Sequence, residues 1–473
     1  MYYKLKERFL LRGWEKLPYA IVDKKTGDAT FINKEAIDVL DLCNGKIDLS
    51  LPMIPAKIRD LIPETEKLGL IEPCEQGSEI NEEQKYHMYP ARYIETAHWS
   101  ITGKCNYKCK HCYMSAPDAK LGELSHETIM SIIDQLAECG IMHVTITGGE
   151  PLIRKDFMEI VDALLERGIH INTIYSNGKL VTDKLLDQLA ERGIHPEFNM
   201  SFDGVGHHDW LRGIPGAEKY VEEAFLRCKE KGFPTGAEMC IHQDNKHTLR
   251  ESINKLASWG CGHLKTNPIS NVGAWKEGGY GESISIKDVF QLYLDYIPQY
   301  YEDGMPLSLQ LGGFFIASPR RPKEYRVASE KYCDDPNTMC ICGHARRVMY
   351  IAADGHTLPC MALSGMDIQN EFPVITEIGL AKCITDSRYM RLIDTRAAEF
   401  FELNPECKAC EHAMSCVGGC RAAALEYDPD NIRGIDRSTC EIFKGGWAPR
   451  VKEAAKAAVE KYVTGDSAEK TSE

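Results

Sequence analysis

The sequence lacks the features that would place the protein in a membrane or on a nucleic acid. No apolar run approaches the roughly 18 residues that a membrane-spanning helix needs. The first segment, Met1 to Gly13, alternates charged and apolar residues and has no apolar signal-peptide core. Basic residues are too few to balance the acidic ones, and the net charge of −14 disfavours nonspecific binding to nucleic acid or anionic membranes. We therefore expect a cytoplasmic protein with no nucleic-acid partner and no membrane partner.

Cysteine, in contrast, is abundant, with 19 residues in a chain of 473. In a long chain without an export signal, clustered cysteines indicate metal binding more often than disulfides. Scattered cysteines fit small buried apolar positions instead. We expect this of Cys43, Cys139, Cys228, Cys240 and Cys261.

The pattern of apolar, polar and cysteine residues changes several times along the chain. A β-hairpin, Tyr19–Val22 with Ala29–Ile32, precedes two helices, of which the second is expected to end near Ile71. This predicts a small N-terminal α+β module. A polar, acidic stretch follows, and a cysteine-dense region lies near the C-terminal end. The predicted division is a module at 1–74, a linker at 75–95, a barrel region at 96–330, a cysteine-rich domain at 331–449, and a helical tail at 450–473 that becomes disordered from Thr464.

The middle region alternates strands and helices. Two helices have apolar residues at helical spacing, one behind a predicted N-cap at Ser125 and one behind Asp156. Six such repeats predict an α/β fold with a parallel sheet, open or curled into a partial (β/α)6 barrel. In such folds the chemistry gathers at the C-terminal ends of the strands. The predicted strands are Trp99–Thr102, Ile141–Thr147, Ile169–Tyr175, Phe198–Phe202, Ala237–Ile241 and His263–Thr266.

Three cysteines follow the first of these strands, in the order Cys105-x3-Cys109-x2-Cys112. Three thiolates in one loop can hold three irons of a [4Fe–4S] cluster and leave the fourth iron open, whereas structural zinc needs four ligands. This motif resembles the defining motif of the radical SAM superfamily. The resemblance implies that S-adenosylmethionine (SAM) chelates the open iron and that its reductive cleavage gives a 5′-deoxyadenosyl radical, which abstracts hydrogen from a substrate. The three cysteines are then catalytic as well as metal-binding.

Further motifs stand at the ends of later strands. Gly148, Gly149 and Glu150 follow the second strand, and glycines let the backbone approach a ligand closely. By resemblance, Glu150 accepts a bond from the methionine amine of SAM.

Four more residues are candidates for SAM contacts by resemblance, although a surface position for Arg212 stays open as an alternative. His207 and His208 are expected on a solvated loop. The four candidates are Asn177, Ser201, Asp203 and Arg212.

The C-terminal cysteines have a specific spacing. Cys342 is followed by Gly355 and Cys360, then by Cys407-x2-Cys410-x5-Cys416-x3-Cys420 and finally Cys440. This pattern resembles the seven-cysteine SPASM extension of radical SAM enzymes and implies two auxiliary [4Fe–4S] clusters. By resemblance one set is Cys407, Cys410, Cys416 and Cys440, and the other is Cys342, Cys360 and Cys420.

The second set is one ligand short. Cys340 is the nearer upstream candidate and Cys333 the farther one, and a substrate thiolate is a third possibility. Zinc knuckles remain the structural alternative for this region.

The N-terminal module resembles the leader-recognition domain of enzymes that modify ribosomally made peptides. The similarity lies in the hairpin, in the helix start Asn33-Lys-Glu-Ala-Ile and in the closing Glu66-Lys-Leu-Gly-Leu-Ile. Such a domain adds the leader peptide as a strand to its sheet edge. A structural or dimerising appendage is the alternative.

The three regions together resemble a SPASM-type peptide maturase. This implies a precursor peptide as substrate, an external electron donor such as flavodoxin or ferredoxin, and an intramolecular crosslink, first of all a thioether. A carbon–carbon crosslinker, a tetrapyrrole side-chain oxidase and a multi-cluster electron carrier are the alternatives. Sulfatase-maturing relatives carry an aspartate base where this chain has Met361, which argues against that activity.

Overall fold

The computed structural model describes residues 1–114, 120, 122–270 and 273–465. The C-terminal part of the predicted disordered tail, residues 466–473, lies outside them. No helix within the described ranges is long and apolar enough to cross a membrane.

The N-terminal module has the predicted hairpin, because β3 and β4 pair antiparallel with Ile21 opposite Thr30. Three further strands were not predicted: β2 extends the hairpin sheet, and β1 pairs with β5. The second helix ends at Lys67, earlier than expected, because Ile71 begins β5. The elements are β1 (Tyr3–Leu5), β2 (Phe9–Glu15), β3 (Leu17–Asp23), β4 (Ala29–Phe31), α1 (Lys34–Leu42), α2 (Ala56–Lys67) and β5 (Ile71–Pro73).

Residues 75–95, predicted to be a linker, are tied into this module instead. They contain β6 (His87–Arg92), which pairs parallel with β2. The buried Gln84 donates to the carbonyls of Lys6 and Phe9, at 3.0 and 3.3 Å. Polar composition suggested an exposed connection, but these side chains satisfy backbone groups of the module.

The middle region forms a parallel sheet in which all six predicted strands are present, as β7 to β12. A seventh parallel strand, β13, follows, and antiparallel β14 and β15 end this side of the sheet. The strands are β7 (Thr96–Ser100), β8 (His143–Thr147), β9 (His170–Ser176), β10 (Glu197–Ser201), β11 (Thr235–Ile241), β12 (His263–Pro268), β13 (Ser308–Leu311), β14 (Phe315–Ala317) and β15 (Tyr325–Arg326).

Helices connect these strands and pack their apolar sides on the sheet. The Ser125 hydroxyl caps α3 by accepting from the Thr128 N–H, as predicted. Asp156 stands at the N-cap of α4 but binds Arg154 and His126 rather than the helix backbone. The helices are α3 (His126–Glu138), α4 (Phe157–Glu166), α5 (Asp183–Glu191), α6 (His208–Arg212), α7 (Ala217–Glu230), α8 (Leu249–Trp259), α9 (Gly273–Glu277) and α10 (Ile286–Glu302).

The cysteine-rich region contributes to the same sheet. Its strand β16 pairs parallel with β7, and β17 forms the second edge of an 11-stranded sheet that stays open between β15 and β17. The fold is therefore the predicted α/β fold with an incomplete barrel. The remaining elements of the region are short: α11 (Gly343–Arg347), β16 (Val348–Ile351), β17 (Thr357–Leu358), α12 (Ile375–Ile378), α13 (Leu380–Cys383), α14 (Ser387–Asp394), α15 (Ala397–Leu403), α16 (Pro405–Lys408), α17 (Ala413–Cys416), α18 (Arg421–Leu425) and α19 (Arg437–Lys444).

A final helix, α20 (Trp447–Val459), packs against α10. The Trp447 and Phe290 rings lie 5.7 Å apart. The predicted helical tail thus begins three residues earlier than expected and closes one side of the barrel region.

Candidate active site

The three cysteines of the first motif lie in the loop after β7 and line a cavity of about 500 Å³ at the C-terminal ends of the strands. Burial raises the pKa of Cys105 to about 12, because a thiolate loses solvation there. The Tyr107 N–H donates to the Cys105 sulfur at 3.4 Å. Free thiols gathered in one loop fit three-cysteine ligation of a cluster with one open iron.

Gly148 and Gly149 line the same cavity, and the reason for glycine is visible. A Cβ on Gly149 would lie 2.2 Å from the Lys104 carbonyl oxygen, and one on Gly148 2.5 Å from that of Thr102. The Gly149 N–H donates to the Thr102 carbonyl and the Glu150 N–H to the Lys104 carbonyl, each at 2.9 Å. The glycines therefore let the end of β8 join the cysteine loop directly.

Glu150 is completely buried and serves the loops around it. Its carboxylate accepts from the Asn177 N–H at 2.7 Å, from the Ser176 hydroxyl at 3.1 Å and from the Leu152 N–H at 3.1 Å. Burial raises the pKa of Glu150 to about 7, although these bonds favour the ionised form. The structure thus shows Glu150 bound to protein groups, and its contact with a methionine amine stays a prediction.

Asn177 and Ser201 both line the cavity. The Asn177 side-chain amide donates to the Asn106 side-chain oxygen at 2.7 Å, which links the end of β9 to the cysteine loop. Asn106 lies between Cys105 and Cys109, and Ser176 ends β9, but the sequence motifs identified neither residue as a contact of the site.

Asp203 and Arg212 meet in the interior rather than at the surface. Arg212 Nε donates to Asp203 Oδ2 at 2.6 Å, and Arg212 Nη1 lies 3.7 Å from the Cys109 sulfur. The surface alternative for Arg212 is thereby excluded. Asp203 has no exposed surface, so it acts on the cavity through Arg212, whereas Arg212 lines the cavity itself.

The expectation for His208 is wrong. It has no exposed side-chain surface and begins α6, and its Nδ1 bonds the Asp203 backbone N–H at 3.0 Å. A histidine pair suggested a solvated loop, but the short helix turns one member of the pair into the interior.

Polar side chains on the strands also face the cavity, and no sequence motif indicated them. Alternate positions on β9 to β12 place polar side chains in the cavity, a period-two signal that could have been read from the strands. Cys240, expected to be a buried apolar residue, is one of these side chains. These strand residues that line the cavity are Tyr175, Asn199, Glu238, Cys240 and Asn267.

The C-terminal cysteines form two groups. Burial raises the pKa of Cys360 to about 11, and the neighbouring Cys420 and Cys342 contribute to the shift. Burial likewise raises the pKa of Cys407 to about 11, with contributions from Cys440 and Cys410.

Cys440 also interacts with Cys416, whose pKa burial raises to about 12. These neighbours follow the two sets that the resemblance implies, and cluster ligation by either set stays a prediction.

The two candidate fourth ligands lie in different surroundings. The Cys340 sulfur accepts bonds from Arg346 Nη1, at 2.8 Å, and from Arg396 Nη1. Cys333 packs in an apolar cluster with Phe400 and Cys407. Ligation by Cys340 stays a prediction, and it would require the sulfur to exchange guanidinium contacts for iron.

Two buried cations lie between the cysteine groups. Lys331 Nζ donates to the carbonyls of Ile341 and Gly419, at 3.0 and 3.1 Å, and interacts with Cys342, Cys416 and Cys420. Burial lowers the pKa of Lys331. Arg421 is buried beside the same thiols. Cations in such a place fit anionic thiolate-ligated clusters, since a buried charge needs a compensating one.

Cys420 connects this region to the first motif. It lines the same cavity as Cys105, Cys109 and Cys112. The other lining residues from this region are Met361, Ala362, Ser364, Gly365, Met366, Ala422, Ala423 and Glu426. One wall of the cavity therefore comes from the cysteine-rich region, and one cysteine of the second auxiliary set faces the space where a substrate would sit.

Comparison with known proteins agrees with this geometry. Residues 99–256 match the family described as the Radical SAM superfamily. PqqA peptide cyclase of Granulibacter bethesdensis is 25% identical over 336 residues, which is 70% of this chain and 83% of that protein. AdoMet-dependent heme synthase of Nitratidesulfovibrio vulgaris is 23% identical over 346 residues, 71% of this chain and 89% of that protein.

Among solved structures, Streptococcus suis SuiB bound to precursor peptide SuiA superposes with a TM-score of 0.58 at 14% identity. The match covers 93% of this chain and 100% of SuiB. The likeness therefore extends over the N-terminal module, the barrel region and the cysteine-rich region. Residues 99–256 therefore form a radical SAM domain, and the chain is an enzyme.

Proposed function

We propose that this enzyme is a maturase of a ribosomally made precursor peptide and installs an intramolecular crosslink in it. The observation that carries the proposal is the shared cavity, which is lined both by the three cysteines of the first motif and by Cys420. A substrate in this cavity would reach both the group that abstracts hydrogen and a cluster that can take up an electron. The name of the PqqA peptide cyclase relative supports a peptide as substrate.

The N-terminal module supports the same proposal through the free edge of β4. The Ile32 N–H donates to the Tyr19 carbonyl and the Asp23 N–H to the Asp28 carbonyl, so residues 28 and 32 face β3. By the alternation of an antiparallel pair, the backbone groups of Ala29 and Phe31 point outward. This edge opens on a cleft of about 680 Å³ lined by both residues, in which a leader peptide can add a strand.

The chain's own residues position the reaction. Cys105, Cys109 and Cys112 would hold the SAM-binding [4Fe–4S] cluster, which with bound SAM supplies the 5′-deoxyadenosyl radical. Asn177 and Ser201 line the cavity where SAM contacts are expected, and Arg212 lies against Cys109. The two C-terminal cysteine sets would hold auxiliary clusters and supply a route for an electron.

A thioether is the first expectation for the bond, and a carbon–carbon crosslink is the second candidate. The name of the PqqA peptide cyclase relative fits both, since either bond closes a ring in a peptide. The heme synthase relative suggests a tetrapyrrole substrate instead. A tetrapyrrole cannot add a strand to a sheet, so this substrate would give the free edge of β4 no function. An external donor such as flavodoxin or ferredoxin would reduce the first cluster. A cytoplasmic location fits this requirement, because reduced donors of this kind would be available there.

The test is an anaerobic assay of the reconstituted enzyme with dithionite, SAM and candidate precursor peptides. We expect 5′-deoxyadenosine and a peptide lighter by two hydrogens per crosslink, with the bond located by fragmentation. Alkylation of the product separates the candidates, because a thioether consumes the cysteine thiol and a carbon–carbon bond leaves it reactive.

The matched control is Cys109→Ala, which should lose SAM cleavage and keep the auxiliary-cluster iron. Deoxyadenosine with every peptide unchanged would refute the peptide substrate. No deoxyadenosine from an enzyme with intact clusters would favour a multi-cluster electron carrier.

A further inference from the structure

Among the residues that the structure describes, two carboxylates line the cavity, and they have different neighbours. Glu238, on β11, lies 3.6 Å from the Lys265 ammonium. Glu426, just after α18, accepts a bond from the Ser270 hydroxyl at 3.0 Å. Within the described part of the chain, no lysine, arginine or histidine pairs with Glu426. Glu238 is thus neutralised by a cation, and Glu426 is not.

The surroundings of Glu426 suit a proton acceptor. Glu426 keeps an exposed surface, but partial desolvation by the protein raises its pKa above the usual value, and the Ser270 bond only partly opposes this. A carboxylate with a raised pKa holds a proton better, and general bases work best when their pKa approaches the working pH. Glu426 nevertheless remains accessible from the cavity, whose wall it forms with Ser270.

The position of Glu426 relates it to the electron route. Six positions before it, Cys420 lines the same cavity, and α18 joins the two residues. Position 361, where sulfatase-maturing relatives have an acid, holds Met361 in this chain, and this side chain also lines the cavity. Met361 cannot accept a proton, whereas Glu426, on the wall that the cysteine-rich region contributes, can.

We propose that Glu426 is the general base that accepts the proton released when the crosslink forms, a role that rests on the proposed function. The step balances for a thioether. The deoxyadenosyl radical that bound SAM would supply removes one hydrogen atom from a peptide carbon, and the new carbon–sulfur bond forms as the cysteine S–H bond breaks. The proton passes to Glu426, and the remaining electron would pass to an oxidised iron–sulfur cluster that the C-terminal cysteines would hold.

The test is Glu426→Gln, which preserves size and the acceptor for Ser270. With a peptide deuterated at the reacting carbon, deuterium should still appear in deoxyadenosine, while crosslinked peptide falls by about 100-fold or more. Rapid freezing should also trap an organic radical, visible by electron paramagnetic resonance, that the wild type does not accumulate. Iron content and peptide affinity should match those of the wild type.

The matched control is Asp430→Asn, an exposed acid four residues further on that does not line the cavity. It should crosslink like the wild type. Equal crosslinking by Glu426→Gln and the wild type would overturn the role of Glu426, as would a loss of deuterium transfer equal to the loss of product. If the wild type itself modifies no peptide, the proposed function fails first.

Discussion

Arg212 and Asp203 form an ion pair beneath the first cysteine loop, with 2.6 Å between Arg212 Nε and Asp203 Oδ2. Burial alone would raise the pKa of Asp203, but the charge of Arg212, together with His208 and His111, outweighs it and holds this pKa well below its usual range. Because Arg212 also lies against the Cys109 sulfur, the pair joins the fold of the barrel to the loop that would hold the cluster.

Replacing Asp203 by Asn should leave the Arg212 charge buried and unpaired. We expect the free energy of unfolding, measured anaerobically with denaturant, to fall by about 3–5 kcal/mol. Since the pKa of Asp203 is lowered by folding, the difference from the wild type should stay constant from pH 5 to 8 and shrink only below the unfolded pKa of about 4. Asp187→Asn, which breaks the exposed pair with Lys231, is the control and should cost less than about 1 kcal/mol. Equal losses in both variants would contradict the assignment.

Glu150 should make stability depend on pH in the opposite sense. Its folded pKa of about 7 lies above the usual value, so the folded state holds a proton that the unfolded state has released. The stability of the wild type should therefore decrease as the pH rises through 5 to 7, relative to Glu150→Gln, by about 2–3 kcal/mol. Parallel unfolding curves against pH for the two proteins would show that Glu150 is ionised throughout.

The free edge of β4 should bind the leader peptide through the backbone. Ala29→Pro removes an outward N–H and keeps the pairing with β3. We expect the peptide to bind about fivefold more weakly in a fluorescence anisotropy titration, since one hydrogen bond contributes about 1 kcal/mol. Ala29→Val keeps the N–H and is the matched control. Unchanged affinity in Ala29→Pro would place the leader elsewhere.

Lys331 should affect the auxiliary clusters through its charge. Lys331→Met removes a cation that interacts with Cys342, Cys416 and Cys420, so adding an electron nearby becomes less favourable. We expect lower reduction potentials for the auxiliary signals in a redox titration followed by electron paramagnetic resonance. The signal of the first cluster should not shift. Lys323→Met, at an exposed position, is the control, and equal potentials in the two variants would disprove the effect.

Local sequence patterns predicted much of the fold. The six barrel strands and the β3–β4 hairpin are present because their apolar periodicity coincides with the packing that the sheet needs. Predictions were wrong where contacts between residues far apart in the chain determine the structure. Residues 75–95 look like a linker, yet Gln84 bonds carbonyls more than 70 positions away.

By itself, the sequence determined the chemistry, because the number and spacing of thiols within one loop decide what metal group that loop can hold. Only the tertiary structure decided which distant groups act together. It sorted the C-terminal thiols into two sets, paired Arg212 with Asp203, and brought Glu426 to Ser270 across 156 positions of the chain. Such contacts depend on the β7–β16 pairing, which folds the cysteine-rich region back onto the barrel. A local sequence pattern cannot indicate which residues far apart in the chain this pairing brings into contact.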